Sequence, residues 1–225
     1  EHEREWYIMC VSYRWEHQKR TKVCSLVDFP KEYEKDPEND YHVVKKLWDL
    51  IDEADIVIAH NGDKFDMRKA NARFIKHGLG PPSSVKSVDT LKVARRYFMF
   101  NSNRLNDVGK HLGLGEKVQT GGFQLWAGCM RGNMKSWKTM IKYARQDVDL
   151  LRDVYLALRP WMTNHPNLNI YSKEHACPTC GSYNLQRRGV RTTKVSVYQA
   201  WQCNDCRSYS RSRLAEKTEK PSIVP

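Results

Sequence analysis

Residues 55–82, DIVIAHNGDKFDMRKANARFIKHGLGPP, decide the architecture. DIVIA (55–59) is a short continuous apolar run, the pattern of a strand buried in a sheet. HNGDKF then reads as a tight polar turn, and residues 67–78 read as a helix that ends at Gly78, with Pro81 and Pro82 closing the unit. Strand, turn and helix in that order make the βα building block of an α/β sheet.

Working outward, WYIMCVSYRW (6–15) and TKVCSLVD (21–28) are rich in aromatic and β-branched residues and read as a hairpin joined by a charged turn. A polar stretch, PKEYEKDPEND, separates it from residues 41–53, where Val43, Val44, Leu47, Leu50 and Ile51 recur at helical spacing. Downstream, VKSVDT (85–90) reads as a further strand. Short helices are expected near 90–98 and 104–112, a glycine-broken loop at 113–122, and one helix or a pair across 133–159, ending before Pro160. Trp126, Trp137 and Trp161 fall among helical patterns and read as core. The expected organisation is an α/β domain over 1–162, a linker over 163–174 (TNHPNLNIYSKE and its neighbours), a cysteine module over 175–214 and a tail over 215–225.

The composition allows a packed core and narrows the partners. Hydrophobic residues are 40% of 225, which excludes a wholly disordered chain, and no apolar run approaches the roughly 20 residues of a membrane helix. The first 20 residues lack the basic-then-apolar layout of a signal peptide, so an intracellular protein without membrane contact is expected. The 38 Lys and Arg against 26 Asp and Glu leave a net charge of +12, a surplus that favours polyanions, nucleic acid above all. Residues 163–225 hold 10 basic and 4 acidic residues, half of the net charge in little more than a quarter of the chain.

The seven cysteines divide by spacing. Cys10, Cys24 and Cys129 stand alone and read as small core residues. Cys177, Cys180, Cys203 and Cys206 follow C-x2-C-x22-C-x2-C, in which each knuckle brings two thiolates to one face of a tetrahedral zinc ion. A module this small depends on the metal for its fold. Around it, Arg187, Arg188 and Arg191 alternate with aromatics including Trp201, a composition suited to nucleic acid, with arginines meeting phosphates and rings stacking on bases. A solvated basic face over core aromatics fits the same residues. His175 is not expected to be a ligand, because four thiolates fill the site.

Two further constellations carry chemistry. The turn after DIVIA holds His60, Asn61, Asp63 and Asp66, and a carboxylate at the C-terminal edge of a strand is well placed for a divalent cation. Asp66 would equally serve as a helix cap, and His60 as a hydrogen-bonded structural residue. In YARQDVDLLRDVY, Tyr143 and Asp147 are four residues apart and share one helical face, so one could ligate a metal while the other orients a water. Asp149 and Asp153 read as surface charges, and Asp89 as the cap of the helix that follows VDT.

Together, HNxxxFD and the later YxxxD resemble motifs two and three of the DEDD exonuclease superfamily, in its tyrosine branch. VDTLKVARRYF, SNRLNDVGKHLGLG and a C-terminal cysteine ribbon resemble the ribonuclease H-like predicted exonucleases common in phages and bacteria. The resemblance implies a ribonuclease H-like mixed sheet flanked by helices. It also implies 3′–5′ hydrolysis of phosphodiester bonds with two magnesium or manganese ions. Carried over by position, Asp66 and Asp147 become metal ligands and Tyr143 orients water, while His60 and Asn61 shape the loop and touch substrate. The substrate expected is nucleic acid, DNA in preference to RNA, in the cytoplasm of a bacterial or phage-infected cell, with a replication or repair protein as partner. The family's first motif, Asp-x-Glu on an opening strand, does not occur before WYIMCVSYRW, and Glu1, Glu3 and Glu5 do not substitute for it. Either that strand lies outside these residues or the chain is an inactive relative, and the retention of Asp66, Tyr143 and Asp147 favours the first. The rival from another class is a non-catalytic nucleic-acid-binding or adaptor protein that uses the ribbon on a nuclease-like scaffold.

Overall fold

A computed structural model describes residues 5–115, 122–170 and 174–216, and the chain divides into two compact units, Glu1–Tyr155 and Leu156–Pro225. Most of the loop expected at 113–122, together with Glu1, Glu3 and the end of the tail, lies outside the described residues.

In the first unit β1 (Cys10–Tyr13) and β2 (Lys22–Ser25) pair antiparallel with Cys10 opposite Ser25, the expected hairpin with shorter strands. The polar stretch that follows contains a helix, α1 (Pro30–Lys35), whose Pro30 opens the first turn, where its missing N–H costs nothing. Next comes α2 (Tyr41–Glu53), with the expected bounds. β3 (Ile56–Ala59) and β4 (Lys86–Asp89) pair in parallel, and the chain returns between them through α3 (Asp66–Lys76). After α3, Gly78 takes φ 69°, the left-handed conformation that lets the chain leave the helix. The rest of the unit is helical: α4 (Thr90–Tyr97), α5 (Leu105–His111), α6 (Phe123–Met130) and the single long α7 (Met134–Leu158). This is the mixed α/β class expected from sequence and is consistent with a ribonuclease H-like fold. Helices α1 and α6 have no counterpart in the sequence pattern.

Helix α2 is the wedge of the core. Its neighbouring residues Val43 and Val44, both fully buried, point about 100° apart around the helix and enter different clusters. Val43 joins Leu26, Leu125, Cys129, Trp137 and Met140, tying the hairpin to α6 and α7. Val44 joins Ile51, Ala70 and Phe74, tying α2 to α3. Trp137 is buried as expected, whereas Trp161, read as core, is 60% exposed, because the chain turns there into a short 3-10 segment, Arg159–Trp161, with no layer over it. Cys129 is fully buried, and burial pushes the Cys10 thiol up to about 12, as befits inert core thiols.

The same unit encloses an ion cluster that sequence spacing does not announce. Asp40, fully buried, accepts from Arg73 Nε (2.8 Å) and from the Ile8 amide (2.8 Å), and His77 Nε2 lies 2.6 Å from its other oxygen. Arg73 also donates to the Trp6 carbonyl. Burial acts to raise the Asp40 pKa, but the Arg73 guanidinium, the Ile8 amide and His77 hold it below the ordinary range. A stand-alone buried charge would cost several kcal/mol, so the three groups are mutually dependent.

In the second unit β5 (Leu185–Thr192), β6 (Val197–Cys203) and β7 (Tyr209–Arg211) form an antiparallel sheet in that order, with a bulge between Arg187 and Val190. Gly189, at φ 73°, supplies the bulge's positive dihedral. Among the described residues no helix is long and apolar enough to cross a membrane.

Candidate metal and nucleic-acid sites

The cysteine site is built by one turn used twice. In Cys177-Pro-Thr-Cys180-Gly181, the Gly181 amide donates to the Cys177 carbonyl (2.9 Å) and the Cys177 amide to the Ser182 carbonyl (2.8 Å). In Cys203-Asn-Asp-Cys206-Arg207, the Arg207 amide donates to the Cys203 carbonyl (2.9 Å) and the Cys203 amide to the Ser208 carbonyl (3.0 Å). The residue after each knuckle is left-handed, Gly181 at φ 76° and Arg207 at φ 65°, so the second knuckle holds an arginine where glycine is unstrained. All four sulfurs lie within 4.8 Å of one another, with Cys177 to Cys206 at 3.6 Å and Cys180 to Cys203 at 3.7 Å. A tetrahedral ion with zinc–sulfur bonds of about 2.3 Å sets its sulfurs about 3.8 Å apart, so the four thiols fit zinc. His175 stands instead against the Trp201 ring, 4.4 Å between centroids.

The carboxylates gather around a cleft of about 1580 Å³ in the first unit. Residues 6–15 line one side and 56–61 another, so β1 and β3 both face it. Each has a ladder partner on one edge among the described residues, β2 and β4 respectively. Asp66 and Asp147, brought by α3 and α7, line the same cleft with His60 and Asn61.

The turn that delivers Asp66 is tightly determined. Asn61 is left-handed at φ 67°, and its amide donates to Asp89 Oδ1 (2.8 Å). Gly62 packs on Ala59 so closely that an added Cβ would stand 2.4 Å from the alanine's own, so no larger residue fits without moving the turn. His60 Nδ1 lies 2.9 Å from Thr90 Oγ1 and its Nε2 2.9 Å from the Asn103 carbonyl, lacing β3 to α4 and to the loop before α5. Asp63 turns away to Lys92 and Ser87, which hold its pKa below the ordinary range.

Asp66 is the first residue of α3 but not its cap: Phe65 holds the cap position and no side chain caps it. Surrounding protein raises the Asp66 pKa, and the charge of Asp89 adds to the effect. Asp89 does cap α4, accepting from the Leu91 amide (3.0 Å), and through Asn61 it also fixes the Asp66 turn. A carboxyl crowded by a second carboxylate is a setting in which a hard cation lowers the local energy. Among the described residues, however, three or more ligand atoms converge only at the four cysteines. Asp66 and Asp147 therefore suit a divalent ion by chemistry but do not by themselves make up the donor set of two.

One turn before Asp147, Tyr143 packs its ring edge-on to Trp126 (6.3 Å) against the core and is not among the residues that line the cleft. Asp149, read as a surface charge, is structural: it accepts from Thr21 Oγ1 (2.5 Å) and pairs with Arg14 (3.2 Å), pinning α7 to the hairpin. Asp153 pairs with its neighbour Arg152 at the surface. On the ribbon sheet, Arg187 lies over the Trp201 ring (5.4 Å), Arg188 Nε donates to Gln202 Oε1 (3.0 Å), and Arg191, exposed, sits opposite Tyr198.

Comparison with known proteins places this geometry. Over 88 residues the chain is 32% identical to the PolC-type DNA polymerase III of Ureaplasma parvum, a match over 39% of this chain that spans 6% of that protein. No solved structure matches the chain. Residues 3–159, which hold the cleft with Asp66 and Asp147, match the model of the RNase_H superfamily, and the chain belongs to that superfamily.

Proposed function

We propose that the chain is a metal-dependent nuclease, a 3′–5′ exonuclease of the DEDD type in its tyrosine branch, acting on DNA in preference to RNA. The observation that carries the reading is the meeting of Asp66 and Asp147 in one cleft, on two elements far apart in sequence, inside the region shared with the superfamily. The partial match to a polymerase III supports a replication or repair setting.

In this reading Asp66 and Asp147 hold magnesium or manganese, Tyr143 orients the attacking water through its hydroxyl, and Asn61 meets the substrate strand while His60 keeps the turn in shape. Paired divalent ions supply activation of water and charge for the departing oxygen. Two ions need more oxygen ligands than two aspartates bring. The β1 and β3 edges that face the cleft would accept an extended strand carrying an Asp-x-Glu pair, completing the donor set. The four cysteines hold zinc, and the ribbon they organise grips nucleic acid through Arg187, Arg188 and Arg191.

The experiment is degradation of 3′- and 5′-end-labelled single strands, DNA and RNA, with and without manganese. It compares this chain with one extended at its N-terminus by a strand bearing Asp-x-Glu, each with its Asp66→Ala and Asp147→Ala variants. Manganese-dependent shortening from the 3′ end, abolished by either substitution with binding retained, is the expected result. Binding without cleavage by both chains would instead establish the non-catalytic binding or adaptor reading.

A further inference from the structure

Trp201 and Tyr198 on the ribbon sheet invite a base-stacking reading, but unlike the exposed Tyr183 and Tyr209 their rings are already engaged. Arg187 lies over Trp201 at 5.4 Å, and His175 approaches the same ring at 4.4 Å with planes 70° apart. Tyr198, also on β6, lies under Arg211 of β7 at 3.8 Å. A guanidinium resting on a ring occupies the π face that a base would need. A guanidinium over a ring still has in-plane N–H donors for anions, although Arg211 Nη1 also donates to the Ser212 carbonyl (3.3 Å). Arg187 and Arg211 are both exposed, and Arg188 is oriented by Gln202. Between His175 and Glu216 there are seven Lys and Arg against two Asp and Glu, and Asp205 is committed to Ser182 and Asn184.

We infer that the ribbon reads the phosphate backbone and not the bases: Trp201 and Tyr198 are platforms that hold Arg187 and Arg211 flat for the phosphates of a single strand. This rests on the reading of the ribbon as a nucleic-acid surface. Its consequence is a grip indifferent to sequence and steeply dependent on salt, suited to a strand that must slide one nucleotide at a time.

The test is anisotropy with the zinc-loaded full chain, no magnesium or manganese added, on a 15-mer of thymidylate and on an abasic strand of equal length. The two strands are expected to bind within about threefold of each other, since stacking of even one base would separate them by about fivefold or more. Arg187→Gln and Arg211→Gln should each weaken both strands alike, and each should flatten the log–log salt slope by about 0.7. Zinc content of one ion per chain in each variant shows that the ribbon is intact. A thymidylate preference beyond about threefold, erased by Trp201→Leu, would overturn the inference while leaving the ribbon a nucleic-acid surface. Binding unchanged in the triple variant of Arg187, Arg188 and Arg211 to Gln would overturn the underlying reading as well, placing the strand elsewhere on the chain.

Discussion

The two ligand sets of this chain are made in opposite ways. The four cysteines come together within 30 residues of sequence, in a pair of identical turns whose backbone hydrogen bonds set the sulfurs 3.6 and 3.7 Å apart. Asp66 and Asp147 come from different helices of the first unit, α3 and α7, and share only the lining of one cleft. The difference teaches where each site's stability comes from. A ribbon whose four cysteines fit zinc would draw its stability from the ion, whereas the cleft is lined by the packed core of the first unit.

The largest effect follows from removing the ion. Binding of structural zinc is worth about 10–16 kcal/mol in small modules, more than a sheet of three short strands can replace. Chelation, or Cys177→Ser, should open the ribbon to proteases between His175 and Arg213 while the first unit keeps its own cooperative melting transition. Digestion followed by mass spectrometry checks this. Full zinc content in Cys177→Ser, or one shared transition lost on chelation, would break the contrast.

Next in size is Asp40. Asp40→Ala strands Arg73 in the core and should cost about 3–5 kcal/mol, seen as a lower denaturant midpoint for the first unit with zinc content unchanged. The pH dependence has a definite sign. The folded pKa of Asp40 lies below its unfolded value, so its contribution is complete above the ordinary carboxylate range and is lost as pH falls through the folded value. The Ala variant should lack that acid-side decline, and parallel acid melts of the two proteins would exclude this role for the cluster.

The contrast between the sites also explains what could be read in the sequence. The cysteine turns, the βα unit around Asp66 and the bounds of α2 are local patterns, and each was legible from spacing alone. Asp40 gave no such sign: before a helix it reads as a cap, and its partners Arg73 and His77 lie more than 30 residues away on another helix. Asp149 is a surface charge as read, its side chain 44% exposed, but its bonds to Thr21 and Arg14 gave no sign for the same reason, since only the fold brings them to it. Helix α6 hides behind the glycines before it, with Gly122 at φ 64° in its cap position. The aromatic residues of the ribbon were legible as a class, but which of their faces are covered is decided by strand register, Arg187 opposite Trp201.

A smaller effect tests the repeat in the ribbon. Arg207 holds a left-handed conformation that costs a residue with a Cβ about 1 kcal/mol, whereas its counterpart is glycine. Arg207→Gly should slow the loss of zinc to a chelator severalfold, and Gly181→Arg should hasten it. Equal rates in all three proteins would mean that the strain of a left-handed residue after the knuckle does not reach the four cysteines.

The smallest effect bears on the cleft and runs against intuition. The Asp66 pKa is raised in the fold by surrounding protein and by Asp89, so at neutral pH the ionised carboxylate opposes folding. The sign is therefore the reverse of that for Asp40: Asp66 favours the fold below the unfolded pKa, and that advantage is lost as pH rises through the folded value. Asp66→Asn should then stabilise the cation-free protein at pH 7. The group is partly solvated, so the gain is discounted to about 1–2 °C in the melting midpoint. A cation that binds the folded state alone reverses the order, because mass action then stabilises the wild type and not the variant. Melting both proteins in a manganese series reads both quantities at once. A variant that starts higher and is overtaken as manganese rises would show that the strain at Asp66 is what the cation relieves, whereas parallel curves would detach the carboxylate from metal binding altogether.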